Sequence, residues 1–324
     1  MIQRRRLRIA LFVLGVILAI VAVFFVVREV DWSTVRDALV GADRSYFAAG
    51  VLFYFIAKFG LAVRWAALLR TRTHLPVNVS FLHIMIAYFV NNALPFRGGE
   101  LLRLLLAHRR GGGSLHFYLG SMVIERTIDA AILSLMIVFL GLAMEVPRAV
   151  STAVFTLTGL AFALFFFAFA FPEKRDVILA RLPENRVSRY FRQALQDVAS
   201  SLRLMRTGDL IVAIAFSVLS WGAASVMFFF WQLSFNLNIP WFAAPLQMLS
   251  TTLATAIVST PGGIGVYHQV VISLLGTWDV NRSVAFGFAA ATHSVHLLVA
   301  IAFGILGVLR EQVKGLLHAQ ADHQ

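Results

Sequence analysis

The chain has 324 residues, 59% of them hydrophobic and only 14% charged, an apolar fraction well above the roughly 45 to 50% of soluble domains. Uncharged runs, one of them from Leu210 to Trp278, exclude a soluble enzyme, a DNA-binding module and a disordered tail alike. The net charge of +12 belongs to membrane topology and anionic lipid, because its residues gather on one predicted side. There is no Cys, so disulfides, thiolate chemistry and Cys-ligated metals are absent and the redox compartment cannot be read.

In chain order, Ile9 to Val27 is an uncharged run of 19 residues behind Arg4, Arg5, Arg6 and Arg8. It is long enough to cross a hydrocarbon core. It also exceeds a usual signal core and lacks a small-residue cleavage site before Arg28, so it is expected to be a retained first span. Further spans are predicted at roughly 46 to 68, 117 to 144, 149 to 171, 209 to 235 and 283 to 309, giving six conventional crossings. Two apolar segments remain, at roughly 79 to 107 and 242 to 276. Each is broken by Pro and Gly, at Pro95-Phe96-Arg97-Gly98-Gly99 and at Pro261-Gly262-Gly263-Ile264-Gly265, so neither can be one uninterrupted helix. The expected fold is an all-α polytopic membrane protein, one integral membrane domain over 1–324, with about six full transmembrane helices plus two broken re-entrant hairpins.

If each broken segment returns to the side it entered from, Lys and Arg count 19 on the face holding both termini and five on the other. That bias places both ends in the cytoplasm. The count includes Arg64 among the loop residues from Arg64 to Arg72. Pro95 and Pro261 are 166 residues apart, and the spans on either side repeat at about that offset. The segments 46–144 and 209–309 therefore read as inverted repeat halves, the pattern in which broken helices of secondary transporters meet near the bilayer midplane.

Polar groups at depth are costly and mark function. In the first break, Asn91 and Asn92 precede the turn, Gly98 and Gly99 free backbone N–H groups at the start of the return helix, and Arg97 and Arg103 suit a head-group phosphate. Glu100 would pair one Arg or carry a proton, although the same set would also serve merely to neutralise a buried turn. In the span at 117 to 144, Glu125 and Asp129 share a face and Arg126 reaches Asp129. This is a charge relay or a salt bridge near the cytoplasmic end. In the second break, Pro261, Gly262, Gly263 and Tyr267 suit close approach of a polar group, and His268 would titrate or simply pack. Gly263-Ile264-Gly265 lacks the third Gly, preceding strand and downstream acid of a dinucleotide site. His293 and His296 lack further ligands nearby in sequence, so no metal and no cofactor is expected. Lys58 either snorkels or faces a cavity. Residues 172–208 alternate apolar positions such as Tyr190, Phe191 and Leu195 with Arg186, Arg189 and Arg192, the pattern of an amphipathic helix on an anionic cytoplasmic leaflet.

The pattern Asn91, Leu94, Pro95, Arg97, Gly99, Glu100 and Arg103, followed by Glu125-Arg126 with Asp129 and by the 261–265 turn, resembles the lysylphosphatidylglycerol synthase transmembrane, flippase-like family across nearly the whole chain. The resemblance implies a lipid translocase. It also implies that a chain ending at Gln324 lacks the cytosolic aminoacyl-transferase domain and would not itself make lysyl lipid. His268 stands where many relatives are expected to carry an acid, which would alter substrate or coupling.

The function expected is therefore a lipid flippase of a bacterial or archaeal cytoplasmic membrane. It would act on an anionic or polyprenyl-linked lipid through alternating exposure of one midplane site. The competing classes are a scaffold for a lipid-modifying enzyme and, with no nucleophile, base and metal set in view, a lipid-phosphate enzyme. No nucleic acid partner is expected.

Overall fold

The computed structural model describes residues 30–93, 98–112, 114–165, 206–258 and 260–321, together with Ser188. Among them are ten α-helices and no strand: α1 (Trp32–Val40), α2 (Arg44–Leu69), α3 (Val77–Ala93), α4 (Gly98–Gly111), α5 (Leu115–Gly141), α6 (Arg148–Phe165), α7 (Thr207–Ser234), α8 (Ala243–Ile257), α9 (Val266–Gly276) and α10 (Arg282–Ala321). The predicted span at 9 to 27 and the predicted helix at 172–208 fall outside the described residues, Ser188 and the first residues of α7 apart.

Helices α2, α7 and residues Arg282–Gln312 of α10 are each long and apolar enough to cross a membrane. With α5 and α6 they lie where spans were expected. Sequence length explains the elements: 26, 28 and 31 residues extend about 40 Å or more at 1.5 Å per residue, enough for a hydrocarbon core of about 30 Å. The chain is thus an all-helical, multi-pass membrane protein. The second Pro-Gly segment is broken where the sequence breaks it, α8 from α9 across a short 3₁₀ turn at Pro261–Gly263; in the first, α3 ends at Ala93 and α4 begins at Gly98, and residues 94–97 lie outside the described residues. Short α1 was not anticipated. Its N-terminus is closed by Asp31, whose carboxylate accepts from the Ser33 N–H at 2.9 Å and from the Ser33 and Thr34 hydroxyls at 2.8 Å.

The helices group into two compact units whose boundaries pass through the middle of α2, α3, α4 and α7. One unit holds the described residues up to Phe55, Leu82–Arg103 and those from Ala223 onward; the other holds Ile56–Phe81 and Leu104–Gly222.

In the first unit the start of α2 lies antiparallel to the end of α7. Phe47 stacks on Trp231 and Phe53 on Phe230, and Gly50 is where a Cβ would overlap the Trp231 ring. Helix α3 lies against α10 in the same small-residue manner, with Gly304 against Phe89 and Gly307 against Ile86. At the end of that seam His83, fully buried, meets Glu311 at 3.2 Å. Helix α10 also packs on α1 and α9, and α9 packs on α8. In the second unit α5 packs on α6, where Ser134 and Thr158 share a 2.6 Å hydrogen bond and Thr158 donates to the Ala130 carbonyl. Helix α2 approaches α7 at Gly60, where a Cβ would overlap the Ser220 hydroxyl.

Candidate functional site

Two clusters and two turns gather the polar residues of the described helices. In the second unit, Arg64 from α2 enters the face of α5 that carries both carboxylates. Its Nη2 donates to Glu125 Oε1 and its Nη1 to Asp129 Oδ1, each at 2.5 Å. Trp221 Nε1 on α7 donates to the same Asp129 oxygen at 2.8 Å, and Ser217 Oγ accepts from Arg64 at 3.3 Å. Arg64 is 1% exposed and Glu125 2%, so one guanidinium offsets two carboxylates away from water. Arg126 supplies the remaining positive charge from the rim. Its Nη2 donates to Glu125 at 2.8 Å, stands 3.6 Å from Asp129 Oδ2, and its side chain is 51% exposed.

This corrects the expectation for Arg64, which was counted with the cytoplasmic loop charges. Helix α2 runs on to Leu69, and Arg64 lies inside the protein rather than at its surface. Without Arg64 the expected face counts 18 Lys and Arg against five. Arg126 reaches Asp129 as expected, at 3.6 Å, and Asp129 gains two partners that were not expected, Arg64 and Trp221, which bond it directly. Lys58 sits half-buried in the interior of α2.

In the first unit, the turn between α3 and α4 doubles the chain back. Gly99 N–H donates to Asn91 Oδ1 at 2.9 Å, and a Cβ on Gly99 would run into the Ala87 carbonyl. In an unbroken helix residues 87 and 99 would lie about 18 Å apart, so the start of α4 lies back beside the last turns of α3. Asn92 and Gly98 are half-buried beside this turn. Arg103 is 3% exposed and donates to Glu100 at 2.8 Å. Glu100 occupies the first turn of α4 and His108, Arg109 and Arg110 the last, signs that match the helix dipole. Arg97 lies outside the described residues.

The second turn reverses in the same way. A Cβ on Gly263 would sit 3.3 Å from the Thr255 side chain of α8, where an unbroken helix would separate those residues by about 12 Å. Gly262, Gly263 and Gly265 hold φ of 63°, 70° and 83°, values that L-residues with a Cβ rarely adopt. Thr260 Oγ1 donates to the Ile264 carbonyl at 3.0 Å across the turn.

Beside it, Tyr267 and His268 on α9 meet α10. Tyr267 is 4% exposed, its hydroxyl 3.0 Å from Thr292 Oγ1 and its ring stacked on His293 at 4.4 Å between centroids. His293 lies edge-on to His268 at 5.1 Å. His296 extends the group toward Tyr54 and Trp231. Sequence placed His268 alone in an apolar setting and treated His293 with His296 as a separate pair; the structure brings these rings into one group. Among the described residues no three His, Asp or Glu side chains converge as metal ligands would.

A family model described as "Lysylphosphatidylglycerol synthase TM region" matches residues 12–304. The chain is similar to a UPF0104 membrane protein of Methanocaldococcus jannaschii, 23% identical over 67% of this chain and 92% of that one. It is similar to a UPF0104 membrane protein of Methanothermobacter thermautotrophicus at 21% identity over 90% and 93% of the two chains. A third, from Pyrococcus horikoshii, is 22% identical over 91% and 97%.

Proposed function

The chain belongs to the lysylphosphatidylglycerol synthase transmembrane family, and from that membership we propose that it translocates a polar or phosphate-bearing lipid between the leaflets of the cytoplasmic membrane. The observation that carries the proposal is that two helices of one unit are each interrupted and doubled back at a glycine-rich turn, at Gly99 and at Gly263. Irregular backbone at membrane depth is tolerated where it is sheltered by protein or lines a polar cavity, the setting in which broken helices of transporters hold substrate. In this reading the two turns are re-entrant, the halves 46–144 and 209–309 are inverted repeats, and both termini are cytoplasmic. The head group is received beside the turns while its tails remain in lipid.

Arg97 and the backbone at Gly98 receive the phosphate, while the Gly99 N–H, bonded to Asn91, fixes the turn beside it. Arg103, buried against Glu100, acts by holding the return helix in place. Glu125, Asp129 and their cations adjust charge as the head group passes. No bond of the lipid is made or broken, so the protein works as a transporter rather than an enzyme.

Vesicle reconstitution with fluorescent lipid analogues tests this. Native protein is expected to expose the inner-leaflet label of an anionic lipid to a membrane-impermeant quencher, and Arg97→Ala and Glu125→Gln are expected to slow that exposure. Unchanged exchange in both variants, for every lipid the native chain moves, would overturn the assignment.

A further inference from the structure

The second helix turn is flanked by two imidazoles whose hydrogen-bonding capacity is only partly used. His293, 6% exposed, is hydrogen-bonded to the Gly262 backbone. Its Nδ1 has no hydrogen-bond partner among the described residues, so that bond is made at Nε2, the nitrogen 3.8 Å from where a Cβ on Gly263 would sit. The ring of His268 lies edge-on to it at 5.1 Å. His268 is half-buried as a residue, yet its Nδ1 is shut away and again without a partner. Buried polar atoms as a rule are paired, and an imidazole nitrogen left over in this way is where a ring takes up or gives back a proton.

The surroundings provide no counter-charge. Helices α8 and α9 contain no Asp, Glu, Lys or Arg, and α10 has none between Arg282 and Arg310. Helix α1, packed on α10, carries Arg36 and Asp37, and the loop before α10 carries Asp279, all three exposed. Tyr267 stacks on His293, and His296, 6.0 Å from Tyr267, meets Tyr54 of α2 and Trp231 of α7. Lys58 follows Tyr54 by one turn of α2. Helix α3 brings Tyr88 and His83 to α10, with His83 against Glu311 near the far end, and Glu100 of α4 is paired with Arg103. No carboxylate among the described residues acts on either His268 or His293.

A proton held on this pair is therefore a buried charge with nothing to offset it, which is costly. A second proton on the neighbouring ring would be repelled by the first. The pair thus has a place for one proton, and an arriving negative charge is what makes that place favourable. By linkage, proton and anion each raise the affinity for the other by the same factor.

We infer that His268 and His293 together bind one proton as an anionic lipid head group enters beside the second turn, and so carry the coupling ion of translocation. The inference rests on the translocation reading and adds to it the ion and its site. The proton passes from water to a lone pair of one ring and returns to water when the head group leaves, and no other bond changes. His293, bonded to Gly262, ties that charge to the turn itself. Coupling ions sit at broken helices in other transporters, and buried His serves as a proton carrier in membrane proteins.

Purified native protein in detergent is titrated with dihexanoylphosphatidylglycerol, whose phosphodiester does not titrate near neutral pH. The protons taken up are counted by calorimetry in buffers of different ionisation enthalpy. Uptake approaching one proton per bound lipid is expected. Where uptake occurs, affinity should fall by up to about tenfold per unit of rising pH. Dihexanoylphosphatidylcholine, which carries its own cation, and inorganic sulfate, a free anion that does not titrate, should bring no uptake. His268→Gln with His293→Gln should bind the anionic lipid more weakly and without uptake, with thermal unfolding confirming the fold. Should that variant not fold, His268→Gln alone, at the half-buried residue, is expected to diminish the uptake.

Lipid binding without proton uptake in the native chain would overturn the proton site, as would uptake undiminished in the variants. Equal uptake with sulfate would overturn the lipid as the accompanying anion. Failure of the lipid to bind at any pH would overturn the inference and the translocation reading together. Leaflet exchange in vesicles is read separately. Uptake without exchange in the native chain would sink the translocation reading and leave the pair as a proton site, while exchange without uptake would do the reverse.

Discussion

The ion cluster of the second unit and the ring cluster of the first solve the same problem, polar groups among apolar helices, with opposite chemistry. Around Arg64, formal charges are packed against one another and every deletion leaves a residual charge behind. Around Tyr267 and His293 the groups need carry no formal charge, held by a hydroxyl contact, a hydrogen bond between His293 and the Gly262 backbone, and ring stacking, so a deletion leaves only a gap or an idle lone pair. The contrast teaches that burial by itself does not set sensitivity to substitution. What sets it is whether the remaining partner can live without the one removed.

The largest effect expected follows from breaking the charged side. Arg64→Met leaves Arg126, among the described residues, as the one cation for Glu125 and Asp129, so one buried negative charge goes uncompensated; this should cost about 3–5 kcal/mol of stability, the range for such a charge, read as a lowered unfolding temperature in detergent. Replacing the set together, as Arg64→Met with Glu125→Gln and Asp129→Asn, should recover much of that loss while leaving lipid exchange impaired. If the triple variant were no more stable than Arg64→Met alone, charge would not be the reason for the sensitivity.

On the uncharged side the effect should be smaller. Tyr267→Phe removes the hydroxyl that meets Thr292 and keeps the stacked ring, which should cost about 1 kcal/mol. A loss as large as that of Arg64→Met would erase the distinction between the clusters. Arg126→Gln should cost less than about 1 kcal/mol, as for other exposed ion pairs, and so separates a functional defect from a folding one within the charged cluster itself.

The smallest effect lies outside both clusters. Asp31 is held below its ordinary carboxylate value of 3.8 by the Ser33 and Thr34 hydroxyls and the Ser33 N–H. A carboxylate whose value is lowered on folding stabilises the fold above its unfolded value and loses that contribution as pH falls through the folded one. Acidification below about pH 4 should therefore weaken the native chain slightly more than Asp31→Asn. Melts across that range would check it, and parallel curves would remove the role of this cap.

The first unit was legible in sequence wherever a local rule governed it. The breaks at Pro95 and Pro261 follow from residues that cannot continue a helix, and α3, α4, α8 and α9 end within a few residues of the expected places. The carboxylates Glu125 and Asp129 were paired correctly on one face, because i and i+4 adjacency is a property of any helix. Their principal cation was not found. Arg64 is 65 residues from Asp129, Trp221 is 92 away, and Ser217 is 153 from Arg64. Nothing in the spacing of one helix says which residue of another will meet it. His268 and His293 were separated for the same reason, since they stand on different helices. A signal for Arg64 did exist: it lies five residues inside the end of an apolar segment, deep enough to ask for a partner.

What composition and local pattern determined is the solvent, the helical class, the two interruptions and the pairing of residues within a turn of each other, because hydrophobic length and backbone chemistry act over a few residues. What tertiary structure alone decided is which charges are hidden and which stay open. Arg64 and Arg126 are the same side chain in apolar segments, and sequence ranked Arg64 as the exposed one. The packing of α2 and α7 against one face of α5 reversed that order, sealing Arg64 between two carboxylates and leaving Arg126 at the rim.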